Sequence, residues 1–217
     1  MGYLLPYWWH NRNMENVNLY IVNVDLARRH RSFLLKNINE EQKQIASSFK
    51  QEVDQDRSII SSYLKNALSE ETLSKNNNGK PFFENGPYFN ISHSGHYVVM
   101  AVSTSEVGID IEENRNRDMS SLTRIFNEAE AKVIKEHQDF YYLWCAKESL
   151  IKCMGSTIST VKEIPSLPLN GLKTFKGKDY QCHAFIFDNH IISITREGKE
   201  EYEVKTIKVE HLPLKIK

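Results

Sequence analysis

The chain has 217 residues, 40% of them hydrophobic and 11% aromatic, enough apolar surface to bury the core of one large domain or two small ones. Lysine plus arginine balance aspartate plus glutamate at 28 each, so no global field draws the protein to nucleic acid or a membrane surface, and any anion site must come from local clustering. Cys145, Cys153 and Cys182 are odd in number and lack C-x-x-C spacing, which argues against a disulfide framework and a zinc knuckle, and with no signal-like leader or long apolar run a cytoplasmic protein is expected.

Residues 1–16 are polar with scattered aromatics and no period. The pattern then predicts a strand over residues 17–25, its apolar Leu19, Ile21, Val22 and Val24 interrupted by asparagines. Asn39-Glu40-Glu41-Gln42 has the form of a capping box and opens a helix to about residue 50. A second helix starting near Val53 carries Ile59, Ile60, Tyr63, Leu64, Ala67 and Leu68 at helical spacing, with Arg57 on its first turns. Lys75-Asn76-Asn77-Asn78-Gly79-Lys80-Pro81 reads as a loop. Phe89-Asn90-Ile91-Ser92-His93-Ser94-Gly95 is a short strand that breaks at a small-residue turn. Residues 97–103 form the next strand, and Thr104-Ser105-Glu106 is expected to fold it back as a hairpin onto Val107-Gly108-Ile109-Asp110-Ile111-Glu112, bringing Ser92-His93-Ser94 near that strand.

A charged loop with Arg115 and Arg117 follows, then Leu122, Ile125 and Phe126. Asn127-Glu128-Ala129-Glu130 is a second capping box, opening a helix to about residue 136. The longest helical signal runs from Phe140 to about Met154 and stops at Gly155. Residues 156–217 are expected to be β-rich, with a hairpin around Asp188-Asn189-His190 and a further strand over residues 202–209. Strand, capping box and longer helix near residues 22, 39 and 57 recur near 109, 127 and 144, an offset of about 88 residues. That regularity predicts an α+β chain of two similar α/β subdomains, 1–104 and 105–217, with a cleft between them.

The chemistry centres on residues 107–112. A two-residue period places Val107, Ile109 and Ile111 on one face of the strand and Gly108, Asp110 and Glu112 on the other. Two carboxylates side by side repel, so the pair needs solvent, a cation or a hydrogen-bond donor. The plainest arrangement is an amphipathic edge strand with a wet acidic face. On the long helix, Trp144, Glu148 and Lys152 are four apart and share a face, which alone is an ordinary ion pair. Together the three carboxylates and the lysine have the parts of an oxygen-only metal site beside a phosphate, as phosphoryl transfer requires.

Gly79-Lys80-Pro81, Phe89-Asn90-Ile91-Ser92-His93-Ser94-Gly95, Val107-Gly108-Ile109-Asp110-Ile111-Glu112 and Trp144-Cys145-Ala146-Lys147-Glu148-Ser149-Leu150-Ile151-Lys152 resemble, in order and spacing, the motif series of the 4′-phosphopantetheinyl transferases of the surfactin-synthetase type. The resemblance implies a pseudo-twofold pair of subdomains with the active site in the cleft, working as a monomer. It implies transfer of phosphopantetheine from coenzyme A to a serine of an apo acyl or peptidyl carrier protein, with release of 3′,5′-ADP. Asp110, Glu112 and Glu148 would hold Mg²⁺ or Mn²⁺, Glu148 would also serve as general base, and Lys152 would neutralise a phosphate oxygen. Lys43, Arg57, Ser92 and His93 would meet the coenzyme phosphates, Gly79, Lys80 and Pro81 would line the adenine, and Lys147 would touch phosphate or solvent. The family usually has two basic residues on the helix before Arg57. Here Lys43 is the one good counterpart, with Gln42 and Ile45 at neighbouring positions. Arg115, Arg117 and Arg124 would face an acidic carrier helix, and Leu122, Ile125 and Phe126 would form either an apolar seat for it or a staple of core residues. The same carboxylates would also suit a Mg²⁺-dependent phosphohydrolase or nucleotidyl transferase, and a non-catalytic coenzyme- or carrier-binding module is the third reading.

Overall fold

A computed structural model describes residues 16–116 and 123–210. Strand β1 (Asn16–Asn23) opens the described chain. It ends two residues earlier than its apolar pattern implies because the Asn23 side chain accepts from the Leu26 backbone N–H at 3.0 Å and so caps a helix, α1 (Val24–Arg28). Helix α2 (Arg31–Lys36) follows. Neither short helix was anticipated from the sequence. Both are tied to the long helix α4 (Glu52–Leu68), where Asp56, 2% exposed, accepts from Arg28 at 2.5 Å and Arg31 at 2.8 Å.

Helix α3 (Glu40–Ser47) lies between them and starts with the anticipated capping box, Asn39 and Gln42 satisfying each other's backbone N–H. After the short strands β2 (Ser74–Lys75) and β3 (Pro81–Phe82), the chain forms β4 (Tyr88–Ser94), β5 (Tyr97–Ser103) and β6 (Val107–Glu113). The second capping box, Asn127 with Glu130, opens α5 (Glu128–Val133), and α6 (His137–Cys153) follows. Gly155, with φ +59°, ends that turn in the left-handed region that glycine adopts without strain. Strands β7 (Gly171–Phe175), β8 (Lys178–Phe187), β9 (His190–Glu197) and β10 (Glu203–Val209) complete the fold. The anticipated hairpin is β8–β9, turning at Asp188 and Asn189.

Two four-stranded sheets result, ordered β10-β1-β5-β4 and β6-β9-β8-β7. One expectation is corrected here. The strands 97–103 and 107–112 are not a hairpin: β5 pairs with β1 and β4, whereas β6 crosses into the other sheet and pairs with β9. The last described strand, β10, runs parallel to β1.

The sheets pack face to face. Leu19, Ile21, Val99 and Ala101 of the first meet Val107, Ile109, Ile111, Ile192 and Ile194 of the second in one apolar layer. The opposite face of the first sheet, with Tyr20, Val22, Val98 and Met100, is covered by α4 through Ile59, Ile60, Tyr63 and Leu64. Helix α6 covers the opposite face of the second sheet. The architecture is therefore α+β, in four layers of helix, sheet, sheet and helix. The three cysteines are free and buried, and among the described residues no helix is long and apolar enough to cross a membrane.

Candidate active site

Because Val107, Ile109 and Ile111 fill the layer between the sheets, the alternation turns Gly108, Asp110 and Glu112 toward α6. The acidic face is thus not a wet edge but a helix-covered one, and Asp110 is 4% exposed. The helix comes close because Gly108 has no side chain: a Cβ there would overlap the Ser149 carbonyl oxygen and the Cys153 backbone nitrogen. Beside it the Ser149 hydroxyl bonds Ser193 at 3.0 Å and Thr195 at 2.8 Å on β9, so a polar contact replaces bulk under the helix. Gly108→Ala is expected to push α6 outward, lowering thermal stability by about 1–3 kcal/mol through overpacking and separating Glu148 and Lys152 from Asp110. A calorimetric scan and an activity assay check the two effects together.

The close approach puts Asp110, Glu112, Glu148, Lys152, Ser92 and His93 on the wall of one pocket of about 330 Å³, with Trp144, Ile91 and Ile111 as its apolar side. Lys152 donates to Asp110 Oδ1 at 2.6 Å and to the Ser92 hydroxyl at 3.1 Å, and lies 3.8 Å from Glu148. Burial pulls the Lys152 ammonium down, but the Asp110 carboxylate pushes it up further, so its net direction is upward and it remains a cation. Glu148 is raised above the usual carboxylate range, first by burial and then by Asp110 and Glu112, with Lys152 opposing. The Cys145 thiol behind them is pushed well up by burial and is no nucleophile near neutral pH.

A second basin adjoins the first, sharing His93 and Glu112 and lined further by Arg57, Ser94, Gly95, Glu113, Arg115 and Tyr141. Arg57 is fixed by Asp54 at 2.7 Å and by the Gly95 carbonyl, leaving its buried Nε without a partner. Loss of solvent and the repulsion of Arg57 and Lys152 lower the His93 pKa. Arg115 bonds Glu113 at 2.5 Å through Nη2, and its backbone carbonyl accepts from Tyr141.

Other expected residues stand elsewhere. Lys147 is not at the pocket: it is wholly buried on another side of α6, where it pairs with Glu130 at 3.0 Å and donates to the carbonyls of Val161 and Ile164. Lys43 bonds Glu40 on its own helix and lines neither basin. Lys80 bonds Glu106 at 2.5 Å and the carbonyls of Val107 and Cys153, while Asn76 and Asn78 bond the Gly155 carbonyl, so the Gly79-Lys80-Pro81 loop is bolted to the C-terminus of α6. Lys80 and Pro81 line a separate pocket with Phe82, Phe83 and Tyr88. Phe126 is core, edge-on to Phe140 at 5.4 Å; Ile125 is half-buried, Arg115 and Arg124 are exposed, and Arg117 and Leu122 lie outside the described residues. Sequence reasoning missed the roles of Gly108, Asn90 and Ser94.

Oxygen donors suit a hard cation, and Asp110 Oδ2 is buried without a hydrogen-bond partner. The donor chemistry fits, although among the described residues no three His, Cys, Asp or Glu side chains stand converged as a ready metal cluster, Asp110 being held by Lys152.

Residues 106–206 match the sequence model of the 4′-phosphopantetheinyl transferase superfamily. Over 142 residues the chain is 34% identical to 4′-phosphopantetheinyl transferase Sfp of Bacillus subtilis (strain 168), covering 62% of this chain and 60% of that one. It is 32% identical over 139 residues to 4′-phosphopantetheinyl transferase gsp of Aneurinibacillus migulanus, covering 57% and 59%, and 33% identical over 122 residues to 4′-phosphopantetheinyl transferase HetI of Nostoc sp. (strain PCC 7120), covering 50% and 52%. The matches thus span 60% or less of these curated relatives' own length. The motif series and the matches agree: residues 106–206 are similar to the 4′-phosphopantetheinyl transferase superfamily.

Proposed function

We propose that the protein transfers the 4′-phosphopantetheine moiety of coenzyme A to a serine hydroxyl of an apo carrier protein and releases 3′,5′-ADP. The observation that carries this reading is the single pocket wall on which Asp110, Glu112, Glu148 and Lys152 stand together, next to a basin holding Arg57 and His93. The names of the similar proteins support it.

In this reading the carrier serine oxygen attacks the pantetheine-side phosphorus. The bond from that phosphorus to the bridging oxygen breaks, and 3′,5′-ADP departs with the electron pair. Glu148, the half-buried carboxylate of raised pKa, takes the serine proton directly or through water. Lys152 offers its ammonium to a phosphate oxygen at a site already short of solvent, where a fixed charge acts strongly. Mg²⁺ or Mn²⁺ held by Asp110, Glu112 and Glu148 would supply further charge neutralisation at the pyrophosphate.

Arg57 and His93 would receive the 3′-phosphate, with Lys43, whose bond to the exposed Glu40 is a weak surface pair, as a further cation. The aliphatic stem of Lys80 with Pro81 would border the adenine, its ammonium kept by Glu106. The carrier would approach over the segment from Arg115 to α5, with Arg115 and Arg124 facing its acidic side. The two halves, 1–104 and 105–217, would be pseudo-twofold relatives with the site in the cleft between them, working as a monomer.

The His93 assignment has a pH consequence. Its pKa is lowered in the free protein, and a phosphate dianion beside it would raise it. Binding strength gained this way is complete below the free-protein pKa and is lost as pH rises through the higher pKa of the complex. Coenzyme A affinity is therefore expected to fall with rising pH in that window, and His93→Ala to flatten the profile. Titration calorimetry with coenzyme A and with its 3′-dephospho form checks this; an unchanged profile in His93→Ala returns the residue to a structural role.

The function itself is tested by chromatographic detection of 3′,5′-ADP from coenzyme A, divalent metal and apo carrier. Release strictly dependent on carrier is expected. Turnover of coenzyme A or ATP without carrier would favour a phosphohydrolase or nucleotidyl transferase instead.

A further inference from the structure

We infer that Ser92 and Ser94 are positioning residues that orient the Asp110 and Glu112 carboxylates for a divalent cation, a step that rests on the metal reading above. Strands β4 and β6 are neighbouring edges of different sheets, and no backbone ladder joins them. Side chains of β4 join them instead. The Ser92 hydroxyl donates to Asp110 Oδ1 at 2.9 Å, and two residues on the Ser94 hydroxyl donates to Glu112 Oε2 at 2.9 Å. Asn90 Oδ1 accepts from the Ile109 backbone N–H at 3.0 Å, and the Ser94 oxygen accepts from the Glu113 N–H at 3.1 Å. Four bonds from alternate residues of one strand thus fix the register of the other, so each carboxylate meets its own serine.

The pairing also decides which oxygen is free. Asp110 Oδ1 receives both the Ser92 hydroxyl and the Lys152 ammonium, which leaves buried Oδ2 as the atom without a partner. Ser92 spends its only proton on Asp110 and accepts from Lys152, so its hydroxyl is occupied as a positioner rather than as a coenzyme donor. A carboxylate fixed by such an outer hydrogen bond keeps its orientation when a cation arrives, and losing that partner characteristically weakens metal binding by about 10–100-fold. The register comes from the first sheet and the carboxylates from the second, so the joint between the sheets sets metal affinity.

The test is Mn²⁺ titration of the purified full chain, followed by electron paramagnetic resonance, with and without coenzyme A. Ser94→Ala is expected to weaken Mn²⁺ binding about 10–100-fold, Ser94→Thr to remain near wild type, and a thermal scan to show both folded. Ser94→Cys, similar in size but a weak donor, replaces the alanine variant if that one unfolds. Transfer by Ser94→Ala should recover as Mn²⁺ is raised, which a distorted fold would not do. Equal Mn²⁺ affinity in wild type and Ser94→Ala, or no recovery at high Mn²⁺, overturns the positioning role alone. No Mn²⁺ binding by wild type in either condition overturns the metal reading and this inference with it.

Discussion

Glu148→Gln is expected to lower the phosphopantetheine transfer rate by about two to four orders of magnitude while leaving the fold intact. Glutamine has the same shape and can keep the neighbouring Lys152 company, but it carries no charge and cannot take the serine proton. The carboxylate it replaces lies half-buried, raised by burial and by its neighbours Asp110 and Glu112, so its charge is held at some expense and is expected to serve the reaction. Asp110→Ala should be equally damaging by a different route. It leaves Lys152 and Ser92 without their shared acceptor and removes the carboxylate oxygen that has no partner in the pocket. Steady-state rates at saturating coenzyme and carrier, beside circular dichroism of each variant, are the measurement. A rate near wild type in either would contradict the roles assigned.

The second large effect lies away from the pocket. Glu130 and Lys147 are 2% and 0% exposed, and the pair links α5 to α6. Glu130 is fully employed: one oxygen accepts the Ser166 N–H and hydroxyl, both at 2.7 Å, and the other accepts the Asn127 N–H and the Lys147 ammonium. Against the burial that raises it, these bonds hold Glu130 below its ordinary range, while burial pulls Lys147 down despite Glu130. Lys147→Met leaves a buried carboxylate uncompensated and is expected to cost about 3–5 kcal/mol, on the order of 10 °C in melting temperature for a chain of this size. Lys147→Met combined with Glu130→Gln should recover a substantial part, because the unpaired charge is then gone. Thermal unfolding of the two single variants and the double variant measures this. A Lys147→Met protein as stable as wild type would show the pair to be incidental.

How far these features could be read in the sequence depended on whether they were local. The two capping boxes formed as their spacing implied, because both partners of each bond lie within one turn. The alternation in residues 107–112 correctly sorted apolar from acidic faces, but could not say that a helix covers the acidic one; only Gly108 hinted at it. Ser92 lies beside Asp110 as expected, yet through side chains across two sheet edges rather than through a hairpin. Lys147 and Glu148 are neighbours about 100° apart on a helix, and which flank is buried depends on Glu130, a remote partner whose place as a capping residue masked its second role. Strand β10 was visible as a strand, but its half-exposed alternation holds no information about which sheet receives it.

The central claim is most directly tested by intact-mass spectrometry of apo acyl and peptidyl carrier proteins incubated with the purified chain, coenzyme A and Mg²⁺. A gain of one phosphopantetheine on at least one carrier, absent when its acceptor serine is replaced by alanine and absent with Glu148→Gln, is the predicted result. No adduct on any carrier type with either Mg²⁺ or Mn²⁺, from protein shown to be folded, would contradict it.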